Sequence, residues 1–220
     1  ALTPAQAKAL TATQIDKLES VDILALQPAT IAALTTTAFA KLNSAAFASM
    51  SAEQISKITT GQIATMSVDQ LSKIGADQAV GFNAAQLAKL TSTQVAALPI
   101  IAINNLTPAN VGKLNLTGTN FDAAHIAALS DEAIPYLTAS SIQIGGLNAT
   151  QVGALKASQI EAMKPATFAG FVTSTTALTA GAALPTTADK LNALTTTAAQ
   201  SITPAQINAL GTVKMEYLNQ

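Results

Sequence analysis

One period governs this chain. An aliphatic or aromatic residue returns every eight positions at Leu2, Leu10, Leu18, Leu26, Leu34, Leu42, Met50, Ile58, Met66, Ile74, Phe82, Leu90, Leu98, Leu106 and Leu114. A second apolar slot lies five residues further on, at Ile15, Ile23, Ile31, Phe39, Phe47, Ile55, Ile63, Leu71, Leu87, Val95, Ile103 and Val111, with Ala7 and Ala79 as its weak members. Repetition of this kind points to units that stack, because none of them can enclose an apolar face alone.

The period fits neither regular structure. In one continuous helix, eight residues turn the chain by about 800°, leaving a residual of about 80° per repeat. The apolar stripe would wind around the rod and bury nothing. In a strand, slots five apart point to opposite faces, so a flat sheet would expose one of them. A β-solenoid with a corner in each unit avoids that problem and stands as the alternative.

A short helix broken once per repeat satisfies the pattern directly. In Leu10-Thr11-Ala12-Thr13-Gln14-Ile15, Thr11 as N-cap puts Gln14 at the third helical position, which is the capping box. Leu10 and Ile15 then form the hydrophobic staple. The same alignment makes caps of Thr3, Ser51, Thr59, Ser67, Thr91, Thr107 and Thr203, and box partners of Gln54, Gln62, Gln70, Gln94 and Gln206. Pro4, Pro28, Pro108, Pro165 and Pro204, five of the 8 prolines, fall at the first helical position, where a missing N–H is harmless. Lys17, Lys41, Lys57, Lys73, Lys89 and Lys113 occupy the final slot, where a cation meets the negative end of the helix dipole.

So short a helix is unstable alone; neighbouring units must supply the stability. The expected fold is an all-α solenoid of short capped helices, one per eight-residue repeat. Its core is drawn from Leu10, Ile15, Leu34, Ile55, Ile58, Ile63, Leu71, Leu90, Val95, Leu106, Leu155, Ile160, Ile207 and Leu210. Slot occupancy shows no clean period of 16 or 24, so the number of repeats per superhelical turn stays open.

The repeat predicts a single domain over residues 1–220. It is regular over 1–114 and shifted over 115–171, where the slot resumes at Phe121, Leu129 and Leu137 and slips by two to Leu147. It is irregular over 172–193 and regular again over 194–218. No leader is legible and the repeat begins at once, as expected of a mature chain or an excised fragment.

Composition narrows the function classes. Charged residues make up only 10%, against about 25% in an ordinary domain. There are 11 Lys, no Arg and no Cys, and the net charge is −1. Without a basic surface, nucleic-acid binding is not expected, and the absence of Cys removes disulfides and thiolate sites. No run of about 18 apolar residues is present, so no membrane span is expected. The only histidine, His125, occupies a box slot three residues after the cap position Asp122, which calls for no catalysis. The scattered acids form no calcium-binding loop, the glycines form no phosphate cradle, and no base is placed to activate a hydroxyl. No catalytic residue, metal or cofactor is therefore expected. The Thr-rich steps at 35–37 and 195–197 suggest ice binding, but a cap explains the first Thr of each. Asn105, Asn115 and Asn148 match the glycosylation pattern, which matters only in a secretory pathway that uses it.

Runs such as "LTSTQVAAL", "LNATQVGAL" and "ITPAQINAL" resemble the Leu-Thr-x-x-Gln-Ile-x-x arrays of very large bacterial surface proteins of the adhesin or biofilm-matrix type. The resemblance covers 1–171 and 194–218. It implies an extracellular or cell-surface structural protein and transfers no catalytic residues. The expected function is a stalk or fibre module, with the chain itself as a candidate partner through end-to-end or lateral assembly. A solenoid scaffold that binds a surface protein, peptide or glycan is the second expectation.

Overall fold

The structure, a computed structural model, describes residues 2–116, 121–138, 147–173 and 196–210, with backbone alone at positions 149, 173, 209 and 210. Among these residues there are 20 short α-helices, one 3-10 helix and no strand. The chain is all-α, and the β-solenoid does not form. It divides into two compact units, Ala1–Lys113 and Leu114–Gln220, parting at the point where the register of eight first breaks.

Unit 1 contains fourteen helices: α1 (Pro4–Ala9), α2 (Ala12–Asp16), α3 (Ser20–Ala25), α4 (Pro28–Ala33), α5 (Thr36–Phe39), α6 (Ser44–Ala48), α7 (Ala52–Lys57), α8 (Thr60–Thr65), α9 (Val68–Leu71), α10 (Ala76–Ala79), α11 (Ala84–Leu87), α12 (Ser92–Ala96), α13 (Ile100–Asn105) and α14 (Pro108–Val111). Each packs against the helix three further along. α1, α4, α7, α10 and α13 form one wall, α2, α5, α8, α11 and α14 a second, and α3, α6, α9 and α12 a third. Unit 1 is therefore a stack of three-helix coils with 24 residues per coil, which supplies the number that slot occupancy leaves open.

The helix stops once per repeat because the first-slot residue leaves the helical region. Met66, for example, adopts φ −62° and ψ 135°, and its N–H closes the last turn on the Ile63 carbonyl. The next residue, Ser67, caps the following helix. Each such corner thus holds one closing bond and, at most corners, a side-chain cap, although Gln27 and Pro99 supply none, and both aliphatic slots are turned inward.

Second-slot residues Ile15, Ile23, Ile31, Phe39, Phe47, Ile55, Ile63, Leu71, Leu87 and Val95 have no exposed surface. The rings of Phe39 and Phe47 meet edge to face at 6.3 Å. First-slot residues are enclosed from Leu26 onward, Leu34, Ile58, Leu90 and Leu106 among them. Leu10, expected in the core, is only half-buried, as are Leu2 and Leu18. They belong to the first coil, which among the described residues packs on the next coil alone. At Gly81, α10 comes so close to the backbone of Ala52 in α7 that an added Cβ would overlap the Ala52 carbonyl.

Unit 2 holds α15 (Ala123–Ala128), a 3-10 turn (Ile134–Tyr136), α16 (Ala149–Gly153), α17 (Ala157–Ala162), α18 (Pro165–Thr173), α19 (Thr196–Gln200) and α20 (Pro204–Leu210). α15 packs on α16, the 3-10 turn on α17, α17 on α19, and α18 on α20. Leu155 and Ile160 are buried, whereas Ile207 of α20 is half-buried, short of the enclosure expected for it. The Leu210 side chain, most of the irregular 172–193 segment and Leu218 lie outside the described residues.

Candidate functional site

The conspicuous residues of the repeat are its Ser/Thr and Gln. Thr3, Thr11, Ser51, Thr59, Ser67, Thr91 and Thr203 each accept, at their side-chain oxygen, the N–H of the residue three further on. Thr107 does the same for Asn110. In return, Gln14, Gln54, Gln62, Gln70, Gln94 and Gln206 accept the cap residue's own N–H at Oε1, at 2.8–2.9 Å.

The glutamine amide has a second function that the capping argument does not contain. Nε2 of Gln54 donates to the carbonyls of Ile23 and Leu26 at 2.7 and 2.8 Å. Gln62 donates to Ile31 and Leu34, Gln86 to Ile55 and Ile58, and Gln94 to Ile63 and Met66. Gln70 reaches Leu42 at 2.7 Å and Phe39 at 3.5 Å. Each amide therefore ties its own corner to the corner one coil earlier, across 28 and 31 residues. These glutamines are buried, and their hydrogen-bonding capacity is consumed. Each bond contributes about 1 kcal/mol net, and a buried carbonyl left without one would cost about 1–3.

The same bridge recurs in unit 2. Gln159 donates to Ile126 and Leu129 across 33 and 30 residues, two more than in unit 1, which matches the two-residue slip before Leu147. Gln206 reaches Ile160 and Met163 across 46 and 43, so the chain between them adds length without changing the bridge. Other side chains substitute for Gln in places. Asn43 caps α6 through Oδ1 and donates to Leu18 through Nδ2, Asn110 donates to Phe82, and Thr30 to Leu2. Asn43, Asn83 and Asn148 are caps missing from the Ser/Thr alignment, although Asn is as good an N-cap as Ser.

At His125, Asp122 caps α15, accepting the His125 N–H at 3.1 Å and lying 2.8 Å from its Nδ1. The imidazole tilts against Phe121, with ring centres 5.0 Å apart. The backbone N–H of His125, and next its ring, hold the Asp122 carboxyl below the usual carboxylate range. Of the glycosylation-type asparagines, Asn105 donates to Ile101, Asn148 caps α16, and Asn115 is half-buried. Thr35 caps α5, while Thr195 lies outside the described residues. Among the described residues, no group of three or more His, Asp or Glu could hold a metal ion, and no helix is long and apolar enough to cross a membrane.

The outer surface carries one ordered charged feature. Lys17, Lys41, Lys89 and Lys113 stand 24 residues or a multiple apart, with Thr65 at the gap. All five are exposed. The lysines follow α2, α5, α11 and α14, and Thr65 ends α8, the helices of the second wall. Only Lys17 has an acidic partner among the described residues, Asp16 at 3.7 Å. Most other exposed positions of that wall are Thr, Ala and Gly, with Gln14, Asp16 and Asn83 among them.

Comparison with known proteins found no matching family model, no matching curated protein and no matching solved structure.

Proposed function

We propose that this chain is a non-enzymatic structural repeat module of a bacterial surface protein, a stalk or fibre segment that works outside the cell. One observation carries the reading: the side chains that repeat most insistently, the cap hydroxyls and the glutamine amides, are spent on the fold itself. From Gln54 onward the box glutamines are buried and bonded from both ends, so what the sequence repeats is cohesion between coils. The resemblance to adhesin-type octapeptide arrays supports the location. Antibody labelling of intact producing cells, with and without external protease, tests it. Surface labelling that protease removes is expected; labelling only after lysis refutes the placement.

The lysine column favours a second reading, a scaffold for an acidic partner. Four ammonium groups at coil spacing along one wall fit an acidic peptide or glycan lying along the stack. Such binding would weaken steeply with salt. Replacing Lys41, Lys89 and Lys113 by Ser should abolish retention on an immobilised acidic polysaccharide; unchanged retention removes this reading.

A further inference from the structure

Two consecutive octapeptides of unit 2 differ at the glutamine slot, and a cavity opens where the glutamine is missing. In the first, Gln159 accepts the N–H of Lys156 through Oε1 at 2.8 Å. Its Nε2 donates to the carbonyls of Ile126 and Leu129 at 2.9 and 2.8 Å. Eight residues on, Lys164, Ile134 and Leu137 take the corresponding places, but Thr167 stands in the glutamine slot. Its hydroxyl reaches only the Leu137 carbonyl, at 3.4 Å. Among the described residues nothing accepts the N–H of Lys164. The cavity measures about 430 Å³ and is lined by the 135–138 corner and by Lys164, Ala166 and Thr167.

Its rim carries an aromatic ring placed unlike the others. All six phenylalanines of the chain are at most 3% exposed, whereas Tyr136, in the slot where unit 1 places its lysines, is 52% exposed. Lys164 is exposed and has no acidic partner among the described residues. No carboxylate lines the cavity. An apolar platform with a few convergent polar groups, in a volume of about 300–1,000 Å³, is the general form of a small-molecule site.

We propose that this cavity binds an N-acetylated amino sugar, whose acetamido group takes the place that the Gln159 carboxamide holds one octapeptide earlier. The acetamido carbonyl accepts the N–H of Lys164. Its N–H donates to the Leu137 carbonyl, and its methyl group lies against Pro135 and Ala166. The C–H face of the pyranose rests on the negative face of the Tyr136 ring, and the Lys164 ammonium donates to a ring hydroxyl. An asparagine or glutamine of a peptide would satisfy the same amide contacts. The exposed ring favours the sugar, which offers a flat C–H face that a side-chain amide lacks. The site uses no residue of the lysine column and requires no particular location, so its failure and that of either reading of the whole chain are separable.

Isothermal titration calorimetry of the whole chain with the β-1,4 disaccharide of N-acetylglucosamine tests this. Saturable binding is expected. Cellobiose, which has hydroxyls in place of the acetamido groups, should bind more weakly by about tenfold or more. Tyr136→Ala removes the platform and should lower affinity by about tenfold, with an unchanged circular-dichroism melt. Thr167→Gln rebuilds the Gln159 bridge one octapeptide later, so it should abolish binding without lowering the thermal midpoint. A wild-type chain that does not bind the disaccharide overturns the proposal. So does equal binding of cellobiose, or a folded variant of either kind that binds like wild type. Should Thr167→Gln misfold, Tyr136→Ala decides alone. Tighter binding of a neutral asparagine-containing peptide than of the disaccharide overturns the choice of ligand in favour of a side-chain amide.

Discussion

Nε2 of Gln62 lies 2.8 Å from the carbonyl oxygen of Leu34, 28 residues earlier in the chain. The same side chain holds the N–H of Thr59 through Oε1 at 2.8 Å. One amide therefore begins a helix and joins it to the coil beneath.

That double duty separates Gln from Glu. Gln62→Glu keeps the capping box but places a carboxylate against two buried carbonyls. It should destabilise unit 1 by about 3–5 kcal/mol, the cost of leaving a buried charge uncompensated. Gln14→Glu, in the exposed first coil, should change stability by no more than about 0.5 kcal/mol. Urea titrations of the two variants check this; equal effects would show that the bridge contributes nothing.

The core and the caps differ in scale. Ile63 has no exposed surface, so Ile63→Ala should cost about 2–5 kcal/mol. Thr11→Ala removes one exposed cap and should cost about 1 kcal/mol. An unchanged thermal midpoint for Ile63→Ala would contradict its place in the core.

Gly81 has a steric reason to be glycine. Gly81→Ala drives a methyl group into the Ala52 carbonyl, which is backbone and cannot rotate away. The variant should lose about 1–3 kcal/mol, as overpacked sites do. Gly61, whose added Cβ would meet only side-chain atoms at 3.5 Å or more, is the control and should tolerate Ala.

Asp122 gives unit 2 an acid-sensitive cap. Its folded pKa lies below the unfolded value because the His125 N–H and ring stabilise the carboxylate. Such a group stabilises the fold above the unfolded pKa, and the contribution is lost as pH falls through the folded pKa. Stability of unit 2 should therefore decline in acid below the ordinary carboxylate range. Asp122→Asn, which can still cap, should make that limb shallower. Denaturant midpoints measured across the acid range would show it.

Much of the architecture could be read from residues alone. Thr11 with Gln14, Leu10 with Ile15, and the prolines at the first helical position specify a capped helix and a corner without tertiary information. The bridge could not be read that way, because a capping box is satisfied by either Gln or Glu. The readable hint lay in the exclusion of acids: the buried slots of unit 1 hold Gln54, Gln62, Gln70, Gln78, Gln86 and Gln94, or the neutral Thr30, Ala38, Ala46 and Ala102, and the one acid, Asp22, stands in the first coil. The three walls were hidden for a related reason. Ile55, Ile63 and Leu71 face the same core from different walls, so apolar slots look alike at every eighth residue. Only outward residues distinguish one wall from another, and there Lys17, Lys41, Lys89 and Lys113 record the 24-residue coil. Leu10 escaped its expected burial because the first described coil obeys the same local rules as an interior one.

The three-walled stack has a consequence for how such a chain can change length. Each helix of unit 1 packs on the helix three units earlier, and the interior glutamines bond to the corner beneath them. Gain or loss of a single octapeptide by recombination should therefore leave core and bridges intact downstream. It would, however, rotate every later outward residue onto the next wall, and a column such as Lys17, Lys41, Lys89 and Lys113 would be split between two walls. The interior is indifferent to copy number in steps of eight, while any trait written on the surface is inherited only in steps of twenty-four. A lineage selected on its surface should gain and lose whole coils; one selected only for reach should gain and lose single octapeptides.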